Sequence, residues 1–285
     1  MTIDLIIRGR VVTPQATLEG GWVAISGSTI HSVGEGKPPE ALAIHDTGDA
    51  YVFPGIIDGQ THAGSYLGLP GIEPTTRSAI AGGVTTIVDM PYDNPAPLST
   101  TEHLAAKVDA VTRHAHCDVA LYGTVMPGQA LGEVSSLAEG GVVAFKISAF
   151  ESSPTRFPRI DAALTLDLLE ALASTDLPLG LHNEDQEIVR ARVARARAEG
   201  RNGIAAHSPS RPPAAEMAST AHFLELAASA GAHAHIVHIS SPRGFRLVDH
   251  YARDGFRATG ELCVHYLWFD RSEEHTSELQ SPYVI

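Results

Sequence analysis

Apolar and polar positions along the 285-residue chain change their period near residue 50. Before that point, short β-branched and alternating runs predict strands at 4–9, 10–13, 21–26 and 29–33, with Gly27-Ser28 as the turn joining the last two. Gly36-Lys-Pro-Pro39 follows as a loop. From Tyr51 the pattern becomes strand, turn, helix, repeated. Strands are expected at 51–57, 85–90, 118–125, 141–148, 178–182, 234–239 and 258–264. Helices are expected at 75–81, 99–115, 161–174, 184–199, 214–230 and 244–254, with a weaker signal at 131–138. Ser99 with Glu102 three residues on reads as a capping box for the second of these. Several helices stop at glycine: Gly82-Gly83, Gly200, Gly231 and Gly255.

This alternation predicts an α/β fold: an incomplete (β/α)8 TIM barrel of about seven units, each of roughly 30 residues. A small N-terminal β module over residues 1–50 would precede a barrel over 51–270. The competing architecture, an open doubly wound sheet, lacks its signature, because no Gly-x-Gly-x-x-Gly follows any strand.

One charged residue interrupts a buried strand pattern. Lys146 sits inside Gly140-Gly-Val-Val-Ala-Phe-Lys-Ile-Ser-Ala-Phe150, a run apolar enough to be covered on both faces. An ammonium there would lose its hydration. Burial lowers a lysine's pKa and frees the amine for covalent chemistry, including carbamate formation with CO2. On the strand alone, a side chain snorkelling to a surface carboxylate is the simpler reading. The histidines decide for the covalent one.

Barrel enzymes gather their chemistry at the C-terminal ends of the strands. Here the first expected strand leads into Asp58-Gly-Gln-Thr-His62, where Gln60 and His62 share a face if the segment is extended. The fourth carries Lys146, the fifth ends at His182, the sixth at His238 and the seventh at His265. His114, His116, His233 and His235 read as structural, the last two lying on the face opposite His238 if alternation holds. Asp89 reads as a residue that fixes a loop.

Composition narrows the partners. Twenty Lys and Arg against 33 Asp and Glu give a net charge of −13, which disfavours nucleic acid and anionic membranes. Cys117 and Cys263, with no Cys-x-x-Cys spacing, suggest a reducing compartment. No apolar run approaches about 18 residues and the N-terminus lacks signal-peptide character, so a cytoplasmic location is expected. Residues 271–285 interrupt the pattern. Arg271-Ser-Glu-Glu-His-Thr-Ser-Glu-Leu-Gln-Ser281 is similar to the translation of a sequencing-library adapter and is expected to be a non-native tail on a truncated chain.

Taken together, several motifs resemble the cyclic amidohydrolases of the amidohydrolase superfamily: allantoinases, hydantoinases, dihydropyrimidinases and dihydroorotases. They are Pro54-Gly-Ile-Ile-Asp-Gly-Gln-Thr-His62, Ala81-Gly-Gly-Val-Thr-Thr-Ile-Val-Asp-Met-Pro91, Phe145-Lys146, Leu181-His-Asn-Glu-Asp185, Ser210-Arg-Pro-Pro213, Val237-His-Ile-Ser-Ser-Pro242 and Cys263-Val-His-Tyr266. The resemblance covers about residues 3–270. It implies a metal-containing barrel with a small β-sandwich, a carbamylated Lys146 bridging two zinc ions, His182 and His238 on one metal, and Gln60 and His62 on the other. A hydroxide between the metals would open a ring carbonyl, with metals about 3.5–4 Å apart as is usual for such pairs. Family members commonly form homo-oligomers; the sequence itself shows none.

Two departures stand out. Gln60 replaces the first histidine of the usual His-x-His, and a carboxamide oxygen is a weaker zinc ligand than imidazole. The family's general-base Asp is expected beyond residue 270, so no catalytic residue is assigned within 1–270 and the 285-residue chain is expected to be nearly inactive and poorly soluble. The Asp89-Met-Pro, Ser-Arg-Pro and Ser-Ser-Pro stretches resemble allantoinases. The absence of an Arg after the first motif disfavours a dihydroorotase, and Glu151 in place of a Tyr disfavours a hydantoinase or dihydropyrimidinase. The remaining alternatives are a non-catalytic scaffold of the same fold and an organophosphate- or ester-cleaving relative.

Overall fold

The structure is a computed structural model and describes residues 2–269. The adapter-like segment and the position expected for the general-base Asp lie outside the described residues. The chain divides into two compact units between Ile56 and Ile57.

The first unit is a four-stranded sheet of β1 (Ile3–Val12), β2 (Thr17–Ser26), β3 (Thr29–Glu35) and β4 (Ala41–Val52), in the order β3-β2-β1-β4. β1 pairs antiparallel with β2, and β2 with β3, while β4 returns to pair parallel with β1. The two strands expected at 4–9 and 10–13 are one strand, kinked by a register shift between Gly9 and Val11. β4 carried no sequence signal because nearly all of it is exposed, so it shows no in–out alternation. Ile3, Ile6 and Ala24 form this unit's small core.

The second unit begins with β5 (Ile56–Thr61), α1 (Ile72–Ala81), β6 (Val84–Asp89), α2 (Thr101–His114), β7 (Asp118–Gly123), α3 (Gly132–Glu139) and β8 (Ala144–Ser148). It continues with α4 (Ala162–Leu172), β9 (Leu179–His182), α5 (Gln186–Ala198), α6 (His207–Ser210), α7 (Pro213–Ala230), β10 (Ala234–Ile236), α8 (Pro242–Arg253) and β11 (Ala258–Gly260). The seven strands form one sheet in strict chain order from β5 to β11, with each pair from β6 to β11 parallel. The sheet curls: a Cβ built on Gly59 of β5 would lie 3.0 Å from Oε2 of Glu261, which follows β11 at the other edge. This is the α/β architecture read from the sequence, a barrel wall of seven units.

Boundaries moved for local reasons. The first barrel strand is 56–61 rather than 51–57, because Pro54 has no N–H to give a ladder and splits the apolar run between β4 and β5. The cap of α2 is Thr100, whose hydroxyl accepts from the His103 N–H at 3.4 Å; Ser99 is one residue early. β8 starts only at Ala144, since Gly141 turns the chain with φ 97°. The last strand, expected over 258–264, ends at Gly260, and residues 264–267 form a 3-10 turn.

Alternation divides the residues of the curled sheet. Phe145, Ile147, Leu179, Leu181, Ala234 and Ile236 pack outward against Leu168, Leu169 and Leu172 of α4 and Phe223, Leu224 and Ala227 of α7. The opposite, inner face holds Met90, Tyr122, Ala144 and Val237. Lys146, Gly180 and His182 belong to that inner face by the period of two.

Candidate metal centre

Lys146 is the middle residue of a strand buried along its whole length, and only 2% of it is exposed. Its Nζ lies 3.8 Å from the sulfur of Met90 and 5.8 Å from the centre of the Phe157 ring. Gly180, its register partner on β9, makes room: a Cβ there would stand 3.3 Å from Lys146 Cδ. Burial pushes the ammonium down to about 8 from the ordinary 10.5, against the opposing pull of Glu261 and Cys263. Roughly a tenth of the amine is therefore free at pH 7, far more than for an exposed lysine.

His182 closes β9, opposite Ser148 of β8. Its Nδ1 stands 2.9 Å from Nε2 of His238, and its own Nε2 stands 2.9 Å from Oε2 of Glu184. The other oxygen of Glu184 receives Nε of Arg211 at 3.0 Å. Burial alone would raise the Glu184 pKa; the hydrogen bond and charge of His182, with Arg211, outweigh it and hold the carboxyl below its ordinary value.

His238 reaches this position through its backbone. It is the one non-glycine residue at positive φ (42°) among the described residues. Val237 faces inward and Ile239 outward with the helix-facing core. Strict alternation would send the His238 ring outward; the left-handed turn brings it back to His182. The same strand places His235 on the inner face, so its expected separation from His238 does not hold. His235 is hydrogen-bonded to Thr259 at 2.9 Å and stands 3.5 Å from Glu261. His233 bonds the same hydroxyl at 3.0 Å. Burial, then the charges of His182 and Lys146, keep the His238 pKa well below its usual value.

His62 follows β5. The residue as a whole is exposed, yet its ring is crowded by neighbouring groups. That crowding, then the cations Lys146 and Lys107 and the neighbouring His182, lower its pKa. Its Nδ1 is 3.3 Å from Ser65 Oγ, and Tyr92 stacks edge-on at 6.0 Å. Gln60 presents a buried Oε1 with no hydrogen-bond partner. His265 lies in the 3-10 turn after β11, its ring 4.7 Å from that of Tyr266.

The loop holding His62 rests on an ionic platform that sequence reasoning missed. Lys107 of α2 is completely buried; it pairs with Asp89 at 2.7 Å and Asp93 at 2.9 Å and donates to the Met90 carbonyl at 3.1 Å. Asp89 in turn accepts the Ala63 N–H at 2.7 Å, so it fixes the loop one residue past His62. The sequence did hold a clue: Lys107 falls on the stripe of Leu104 and Ala110, the apolar face of its helix. Among the described residues, no three His, Cys, Asp or Glu side chains form a metal-binding cluster; the groups that feel one another here are the imidazoles of His62, His182 and His238 and the Lys146 amine.

No protein-family model matches the chain. It is 35% identical over 271 residues to the allantoinase of Rubrobacter xylanophilus, covering 93% of this chain and 59% of that protein. It is 32% identical over 272 residues to the allantoinase of Solibacter usitatus, covering 95% and 59%. Its backbone matches the L-hydantoinase (dihydropyrimidinase) from Arthrobacter aurescens with a TM-score of 0.90 at 25% identity, covering 99% of this chain and 62% of that one. The chain belongs to the cyclic amidohydrolase family. A D-hydantoinase structure matches the chain with a TM-score of 0.82 at 26% identity, covering 98% and 60%. The chain thus spans about three fifths of the length of the relatives it matches. Among the described residues, no helix is long and apolar enough to cross a membrane.

Proposed function

We propose that the protein hydrolyses a C–N bond of a cyclic amide or ureide in a metal-dependent reaction, with an allantoinase-like substrate. The observation that carries this reading is the pair of imidazole nitrogens on His182 and His238, 2.9 Å apart beside a buried lysine. Two nitrogens on one tetrahedral zinc at about 2.0–2.1 Å stand roughly 3.3 Å apart, so the pair needs little movement to share an ion. The unpartnered Gln60 oxygen and the depressed Lys146 amine also suit a cation and its anionic ligand.

In this reading His182 and His238 would hold one metal, His62 and Gln60 would contribute to a second, and Lys146, as a carbamate, would supply an anionic ligand. Bound metal would supply an acidified water and polarise the ring carbonyl. The chain's own part is preparative. The Lys146 amine adds to the carbon of CO2 and releases one proton, which leaves a carbamate anion where an ammonium would be poorly solvated. Phe157 and Met90 keep bulk water from that group, and the Lys107 platform holds the His62 loop.

Zinc and CO2 as the bound species, the substrate class, a homo-oligomer and a cytoplasmic location all belong to this proposal. The experiment is elemental analysis of the purified 285-residue chain together with intact mass before and after acid. At least about one equivalent of zinc, and an acid-labile mass increment of one CO2 lost in K146A, are expected. Ring opening is then assayed on the uninterrupted gene product with a ureide, a hydantoin and a dihydropyrimidine. Gln60 favours a second reading, a non-catalytic scaffold; well under one equivalent of metal in the uninterrupted protein would select it.

A further inference from the structure

Two motif residues have no part in the ligand set above: Glu184, from Leu181-His-Asn-Glu-Asp185, and Arg211, from Ser210-Arg-Pro-Pro213. They meet at His182. Oε2 of Glu184 lies 2.9 Å from His182 Nε2, and Oε1 lies 3.0 Å from Arg211 Nε. The guanidinium carbon of Arg211 sits 5.7 Å over the Phe150 ring, which fixes its plane. The backbone on both sides is anchored. Asp185 caps α5 through the Ile188 N–H at 2.9 Å and donates its own N–H to the Ala215 carbonyl at 3.1 Å. Asn183 donates to Thr220 at 2.9 Å inside the core.

We propose that Arg211 and Glu184 act as positioning residues that set the tautomer of His182 and so present Nδ1 as its electron-pair donor. A carboxylate accepts hydrogen bonds and cannot donate them. Arg211 donates to one oxygen and holds the carboxyl ionised, so the other oxygen requires a proton on His182 Nε2. A neutral imidazole has only one N–H, and Nδ1 is therefore bare. It lies 2.9 Å from His238 Nε2, which on this tautomer is the donor of the contact. A carboxylate that orients a ligating histidine in this way also raises its basicity. The consequence for metal affinity rests on the metal-centre reading; the tautomer does not.

The test is nitrogen-15 NMR of the metal-free full chain labelled at histidine, with H182N to assign the signal. Wild type is expected to carry its His182 proton on Nε2. E184Q, whose amide can donate, is expected to move the population toward Nδ1–H, and R211M to move it partway, with R211K restoring it. Zinc affinity, read by chelator competition, is expected to fall about 10- to 100-fold in E184Q. Circular dichroism confirms that each variant is folded; if E184Q is not, the R211M and R211K pair decides. Wild-type His182 protonated on Nδ1, or a tautomer indifferent to both folded variants, would overturn the proposal. Absence of zinc binding in wild type with the tautomer responding as expected would sink the metal-centre reading and leave the positioning role standing.

Discussion

Nδ1 of His182 meets Nε2 of His238 at 2.9 Å because His238 leaves its strand with φ 42°. The left-handed region tolerates Asn far better than a β-branched residue. H238N is therefore expected to melt within a degree or two of wild type yet lose most bound zinc. H238V should lose the zinc and in addition about 1–3 kcal/mol of stability. Thermal melts paired with elemental analysis check both; equal melts for the two variants would contradict the strain argument.

Lys146 costs the metal-free fold stability at neutral pH. Its pKa falls from 10.5 unfolded to about 8 folded, so between those values the unfolded chain binds more protons. The sign follows: this contribution improves as pH rises from about 8 to about 10.5, and at pH 7 the full penalty of about 3 kcal/mol is present. K146M fills much the same volume without the charge. In CO2-free, chelated buffer it is expected to be the more stable protein at pH 7, with the gap closing toward pH 10. Urea midpoints across that range measure it.

Removing Lys107 strands two carboxylates. K107M is expected to cost about 3–5 kcal/mol, since breaking a buried ion cluster on one side leaves uncompensated charge. Asp93 has a subtler effect. Burial raises its pKa, with Lys107 pulling the other way and Asp89 reinforcing the rise. A raised folded pKa contributes stability that is whole below the unfolded value and lost as pH climbs through the folded one. D93N, which cannot ionise, should flatten the stability profile just above about pH 4; an unchanged slope there would refute the assignment.

Gln60 is expected to limit the second metal position. Q60H supplies an imidazole where the carboxamide oxygen now stands unpartnered. Bound zinc should rise from about one toward two equivalents per chain, measured by elemental analysis of protein refolded with excess zinc. No increase would mean that residue 60 does not face the site.

Much of this arrangement was legible in the sequence because its signals are local. The barrel followed from the strand–turn–helix period, and Lys146 announced itself as the one charge in an apolar run. Other features depend on long-range or backbone effects that no period encodes. Nearly all of β4 is exposed, Leu42 and Ile44 included, so alternation could not reveal it. His235 and His238 share a face only through one left-handed residue, which reversed the expected parity. Lys107, the one lysine of α2, has its role set by Asp89 and Asp93, partners that no local period brings to it.

Gly180 has an evolutionary consequence. It faces Lys146 across the β8–β9 register, and a methyl there would press on the lysine stem at 3.3 Å. The two positions therefore form a lock that selection must keep or release together. A descendant that abandoned the lysine for a small residue would gain from a larger side chain at 180, and a one-step return to the ancestral lysine would then be sterically closed.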